Sequence, residues 1–148
     1  MTPPTIHASA VLVGARAVLI RGPSGAGKSR LALALLRASG TGALPFARLV
    51  ADDRVHVEAI HGRLLARCPA ALAGLIEVRG LGLRRVPYES PAAVGVVVDL
   101  GNAAPRMPGP ADRHAEIAGV ILPRLAAADG GTALSILLAY LQTLEVSG

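Results

Sequence analysis

The octapeptide Gly22-Pro23-Ser24-Gly25-Ala26-Gly27-Lys28-Ser29 constrains this chain more than any other stretch. It satisfies G-x-x-x-x-G-K-[ST] in full and holds the only lysine in the sequence. It also lies between an apolar run, AVLI, and a helix-forming run, RLALALL. Strand, glycine loop and helix in that order form a phosphate-binding loop. Glycines let successive backbone N–H groups converge on phosphate oxygens, and the helix adds the positive end of its dipole. Lys28 is placed to reach the outer phosphates, and the Ser29 hydroxyl is a ligand for Mg²⁺. The loop therefore implies a bound polyphosphate. It does not say whether that group is hydrolysed, drives motion or is passed on.

At 148 residues the chain predicts one domain, spanning 1–148, with one active site and room for a real core. Hydrophobic residues make up 52% and aromatics 2%, so the core must be aliphatic. That excludes disorder and removes the stacking platforms that single-strand nucleic-acid binders use. Of the 15 basic residues all but Lys28 are arginines, spread without a basic tail, and the net charge of +5 suits phosphate-bearing or acidic partners. Nucleic acid is not expected as a partner. The single Cys68 makes neither an internal disulfide nor a cysteine-based zinc site, which fits a reducing compartment. The start, MTPPT, has no basic n-region, and the apolar stretch 130–144 is short for a membrane span and carries Thr132, Ser135, Gln142 and Thr143. A soluble cytoplasmic protein with no membrane partner is the expectation.

Residues 10–13 and 17–20 predict a hairpin, whose second strand feeds the glycine loop. A buried helix is expected over 30–38, stopped by Gly40. A strand over 48–51 leads into Asp52-Asp53, and 55–60 with 63–66 predicts a second hairpin around His61-Gly62. Residues 75–78 and 94–100 read as strands, and 102–110 as a Pro- and Gly-rich loop with Arg113 at its far edge. Leu134, Leu137, Leu138, Leu141 and Leu144 fall at helical spacing after Thr132 as N-cap. Strands with two helices, one directly after the phosphate loop, define an α/β domain.

Mg²⁺ and the attacking nucleophile both need carboxylates near a phosphate loop. Asp99, ending the run VVVD, has the placement of the magnesium aspartate in ordinary nucleotide hydrolases, or serves a strand end. Asp52 and Asp53 end the strand RLVA soon after Lys28. Neighbours on an extended strand point to opposite sides, so one suits catalysis and the other a structural role. Glu77, in GLIEVRGLG, shares a side with Leu75 and Arg79; that pair is either an ion pair or a metal and phosphate holder.

Taken together, GPSGAGKS, LVADD and LIEVRGLG, in that order, resemble the HPr kinase/phosphorylase family, and the similarity runs from Ile6 to about Pro87. The last motif is close to diagnostic. The match is to the catalytic domain only. The resemblance implies a P-loop-containing kinase domain with a mixed sheet and few helices, using ATP and Mg²⁺. Its partner would be the phosphocarrier protein HPr or an HPr-like protein, phosphorylated on serine, with phosphorolysis as the reverse reaction. It implies a homo-oligomer, a hexamer. Carried over, Gly22 to Ser29 bind the nucleotide, Lys28 is catalytic and Ser29 a magnesium ligand. Asp53 becomes the base toward the serine hydroxyl, Glu77 a second magnesium ligand and His7 an active-site histidine. The signature segment is Ile76, Glu77, Val78, Arg79, Gly80, Leu81 and Gly82. A late active-site arginine matches Arg113, with Arg106 as competitor. The dephosphorylation loop corresponds to LPRLAAADGG, which retains only Pro123-Arg124 of the family's Pro- and Arg-rich pattern.

His56, Glu58 and His61 read as exposed strand and turn residues, since the H-x-E they contain lacks the P-C-x-x-C of a zinc deaminase. Cys68 reads as a small packed residue. Two competing functions remain beside protein-serine phosphorylation. One is a small-molecule kinase or hydrolase using Asp99. The other is a nucleotide-sensing module with little turnover.

Overall fold

The computed structural model describes residues 3–101 and 106–143. The expected first hairpin forms, with β1 (Thr5–Val13) starting earlier than its apolar core suggests and pairing antiparallel with β2 (Arg16–Arg21). After the glycine loop comes α1 (Lys28–Gly40), then β3 (Ala47–Ala51), which pairs antiparallel with β1. The second hairpin consists of β4 (Arg54–Ile60) and β5 (Arg63–Arg67). Its turn puts His61 at φ 52° and Gly62 at φ 76°, the two positive φ values of a type I′ turn. A separate two-stranded ribbon, β6 (Leu75–Val78) and β7 (Gly82–Arg85), follows.

The strongest apolar run becomes β8 (Ala92–Leu100), parallel to β2. Its nearly continuous valines fit a strand buried on both faces. The expected loop over 102–110 lies partly outside the described residues. Beyond it, a 3-10 turn over Pro110–Arg113 leads into β9 (His114–Ile117), β10 (Val120–Ala127) and α2 (Gly130–Gln142).

Eight strands make one mixed sheet that curls on itself, because β1 and β8 each serve different neighbours at their two ends. Thr5 to His7 of β1 pair with β4, and the rest of β1 pairs with β2. Ala92 and Ala93 of β8 pair with β5, while its second half pairs with β2 and, also parallel, with β10. Alternation along the strands then builds two cores. Ala8, Ala10, Leu12, Ala17 and Leu19 face β4 and β5, where Val55, Val57, Leu64 and Ala66 close the first cluster. Val11, Val18, Ile20, Val96 and Val98 face the helices, meeting Leu31, Leu35 and Leu137. The mixed sheet with few helices is as expected.

Three local expectations are corrected. The helix α1 buries only one face, through Leu31, Ala32 and Leu35, while Arg30 and Arg37 stay exposed. The N-cap of α2 is Asp129, whose carboxylate accepts from the Thr132 N–H at 2.8 Å, because Thr132 already lies inside the first turn. Residues 120–127 are strand rather than loop: Arg124 pairs with Val97 and Pro123 with His114, so Pro123-Arg124 sits within a ladder. The leucine stripe of α2 supplies core: Leu137 is fully buried and Leu134 and Leu138 pack against the helix-side cluster, while Leu141 is 37% exposed and Leu144 lies outside the described residues.

Candidate functional site

The glycine loop leaves the carboxyl end of β2 and turns directly into α1. Gly25 (φ 83°) and Gly27 (φ 99°) take left-handed conformations that a side chain would strain. A Cβ on Gly22 would lie 3.1 Å from the Leu100 Cβ and carbonyl oxygen, so the loop begins in close contact with the end of β8. Lys28 is buried, its ammonium donating to the carbonyls of Gly22 (2.8 Å) and Pro23 (3.2 Å). No side chain caps α1, and its first turn holds no acid. Its orphan N–H groups and positive dipole end therefore present an anion-binding terminus.

Asp52 and Asp53 have opposite surroundings, but strand alternation is not the reason: β3 ends at Ala51, and the pair lies in the turn that follows, with Asp53 at φ 68°. Asp52 is buried, and its Oδ1 accepts from the hydroxyls of Ser29 (2.7 Å) and Ser9 (2.7 Å), while its Oδ2 accepts from the Glu77 N–H (3.1 Å). The carboxylate thus joins β1, the start of α1 and β6. The Asp53 side chain is 67% exposed and lies 3.7 Å from Nδ1 of His7. The structure accordingly brings Lys28, Ser29, Asp52 and the backbone of Glu77 together, with His7 and Asp53 beside them. Ser29 Oγ and the Asp52 carboxylate are adjacent hard oxygen donors of the kind Mg²⁺ takes. Ser9 escaped the sequence reading; its only signal is a single hydroxyl within the apolar run ASAVLV.

In the signature segment Ile76 is fully buried against the helix-side core, and Val78 packs on it. Glu77 points the other way and is exposed, as are Arg79, Gly80, Leu81 and Gly82 in the ribbon turn. Asp99 is held between two arginines. Arg21 donates to it through Nε (2.8 Å) and a terminal nitrogen (2.9 Å), and Arg124 through Nε (2.5 Å). Burial pushes the Asp99 pKa up, but the hydrogen bonds and charges of Arg21 and Arg124 outweigh it and hold the group below its ordinary value. Arg124 also donates to the Asp112 carbonyl (3.0 Å), which anchors the turn carrying exposed Arg113. Arg106 is exposed. His56 binds the Pro3 carbonyl through Nδ1 (2.7 Å), and Glu58 and His61 are exposed. Among the described residues no three His, Cys, Asp or Glu side chains gather as a metal cluster, and no helix is long and apolar enough to cross a membrane.

A curled mixed sheet, two α-helices among the described residues and an uncapped helix terminus beside a buried carboxylate define an α/β domain whose glycine loop lies at the ends of its parallel strands. The model for the HPr Serine kinase C-terminal domain matches residues 2–88, and the chain belongs to that family. The HPr kinase/phosphorylase of Clostridium tetani is 42% identical over 82 residues, covering 55% of this chain and 25% of that protein. That of Clostridium kluyveri is 46% identical over 66 residues, covering 45% of this chain and 19% of that protein. The chain thus spans about a quarter or less of the length of the curated relatives it matches. The solved structure of the Hpr(Ser) kinase/phosphatase from Coxiella burnetii superposes with a TM-score of 0.74 at 26% identity, covering 94% of this chain and 95% of that one.

Proposed function

We propose that this chain transfers the terminal phosphoryl group of ATP to a serine of HPr or an HPr-like phosphocarrier protein. The observation that carries the reading is the split of the aspartate pair: Asp52 is committed to Ser29 beneath the glycine loop, while Asp53 is left exposed beside His7. In such a transfer the serine oxygen attacks the γ-phosphorus, its proton passes to the Asp53 carboxylate, and the bond to the bridging oxygen breaks to release ADP. Lys28, which holds loop carbonyls here, would turn to the phosphates, and the first-turn N–H groups would receive them. Ser29 and Asp52, with Glu77 from β6, would hold Mg²⁺, which neutralises phosphate charge. Arg113 is the arginine proposed to face the moving group.

In the phosphorolytic direction inorganic phosphate would attack the phosphoserine phosphorus, the bond to the serine oxygen would break as Asp53 returns a proton to that oxygen, and pyrophosphate would leave. Arg124, the retained arginine of the family's loop pattern, is engaged with Asp99 and contributes no free charge to that direction. The hexamer implied by the family is part of the same proposal, and exposed Tyr140 and Leu141 on α2 are available to it.

The test is Asp53→Asn, which keeps the shape and tolerates a positive φ. Serine phosphorylation of HPr, followed by intact-protein mass spectrometry, should fall by about 10²–10⁴-fold, with ATP binding retained. Undiminished transfer would remove Asp53 as base. Wild-type protein that binds ATP and phosphorylates nothing would favour a nucleotide-sensing module.

A further inference from the structure

We propose that Ser9 is a positioning residue that sets both aspartates of the site at once; the proposal rests on the phosphotransfer reading above. Ser9 lies in β1 between Ala8 and Ala10, on the same side as Val11, facing the helices. It is 0% exposed, at a place where its neighbours are aliphatic. A buried hydroxyl is costly unless its hydrogen-bonding capacity is used. Here it is used in both senses. The hydroxyl donates to Asp52 Oδ1 (2.7 Å) and accepts from the backbone N–H of Asp53 (3.3 Å).

The second bond acts on an unusual turn. The Arg54 N–H donates to the Asp52 carbonyl at 2.8 Å, and Asp53 between them has φ 68°. An i to i+2 bond with a positive central φ is the rare, strained form of the γ-turn. Strain of this kind persists only where the surroundings over-determine it. The Ser9 hydroxyl supplies such a constraint, fixing the N–H at the apex of the turn while gripping the carboxylate of the preceding residue. The Asp53 side chain, mostly solvated and 3.7 Å from His7, has little else to aim it. Removing the hydroxyl therefore frees the turn that presents Asp53 and leaves Asp52 Oδ1 with Ser29 alone. One atom couples the metal side of the site to the base side.

The experiment compares wild type, Ser9→Ala, Ser9→Thr and Ser9→Cys in the full chain. It measures Mg²⁺-dependent ATP binding by calorimetry, transfer to HPr across Mg²⁺ concentration, and thermal stability. Ser9→Ala should lower kcat about tenfold or more and raise the half-saturating Mg²⁺ concentration by about the same factor, with the KM for HPr unchanged. Ser9→Thr, which keeps the hydroxyl, should recover most of both losses, and Ser9→Cys, with its weak donor, should resemble Ser9→Ala. Wild-type kcat and Mg²⁺ requirement in Ser9→Ala would overturn the proposal. So would losses that follow stability alone, equal in the alanine and threonine variants at matched folded fractions. ATP binding reads the Asp52 half without any acceptor protein. A chain that binds Mg²⁺-ATP but never phosphorylates HPr therefore overturns the acceptor reading, while a shifted Mg²⁺ requirement for binding in Ser9→Ala still supports the Ser9 assignment.

Discussion

Asp52 and Asp53 are adjacent in the chain, but one is buried under three hydrogen bonds and the other stands in solvent at φ 68°. That division is the residue-scale basis of the functional reading. It also carries a cost, because a left-handed conformation outside glycine is unfavourable by about 1–2 kcal/mol. Asp53→Gly is therefore expected to stabilise the fold by about 1 kcal/mol while abolishing phosphotransfer; urea unfolding and the HPr assay would check the two halves. A loss of stability instead would mean that the Asp53 side chain is retained for folding. Strand alternation in the sequence led to the right division of labour by a wrong route, since the two residues lie in the turn after β3 and the positive φ of Asp53 separates them. It could not say which aspartate goes inward, because that depends on Ser9 and Ser29 arriving from elements 43 and 23 residues away.

At the scale of elements, Asp99 ties three parallel strands together at the ends that carry the glycine loop. Arg21 is the last residue of β2, and Arg124 belongs to β10. Its lowered pKa means the bonded carboxylate adds stability that is complete above the unfolded value, near 3.8, and is lost as pH falls through the lower native one. Asp99→Asn should thus cost about 1–2 kcal/mol at neutral pH, with Arg21 partly solvated. The gap to wild type, measured by denaturant titration, should close as the pH is taken down from about 5 toward 2. A gap that stays constant would show that charge plays no part. The turn between β9 and β10 shows why that hairpin was illegible. Ile117 pairs with Val120 across Ala118 (φ 51°) and Gly119 (φ 80°), both positive as in a type I′ turn. Sequence reading looks for Asn-Gly or Asp-Gly there, whereas His61-Gly62 in the other hairpin was flanked by stronger strand signals. Ala118→Asn should raise stability by about 0.5–1 kcal/mol without changing activity, as thermal unfolding and the transfer assay would report; no gain would mean that the turn relaxes at little cost.

For the whole molecule, the glycine loop, the buried carboxylate and the parallel strand ends form one unit, so a ligand there should stabilise the entire fold. Mg²⁺-ATP at a hundredfold excess over its Kd should add about 2.7 kcal/mol, seen as a rise in Tm. In Lys28→Ala that rise should largely vanish, since the only lysine of the chain is the group proposed to grip the outer phosphates. An undiminished rise would place the nucleotide elsewhere. The sequence by itself determined the glycine loop, its flanking strand and helix, both early hairpins and the family. Local patterns of glycine, alternation and motif spacing specify these without reference to distant residues. Only the tertiary structure decided that the sheet curls on itself through β1 and β8, that Asp99 is spent on two arginines, that Pro123-Arg124 lies in a strand, and that Ser9 joins both aspartates. Each of these is a contact between segments far apart in the chain, made when two faces of one sheet are buried at once; no local pattern encodes such a pairing.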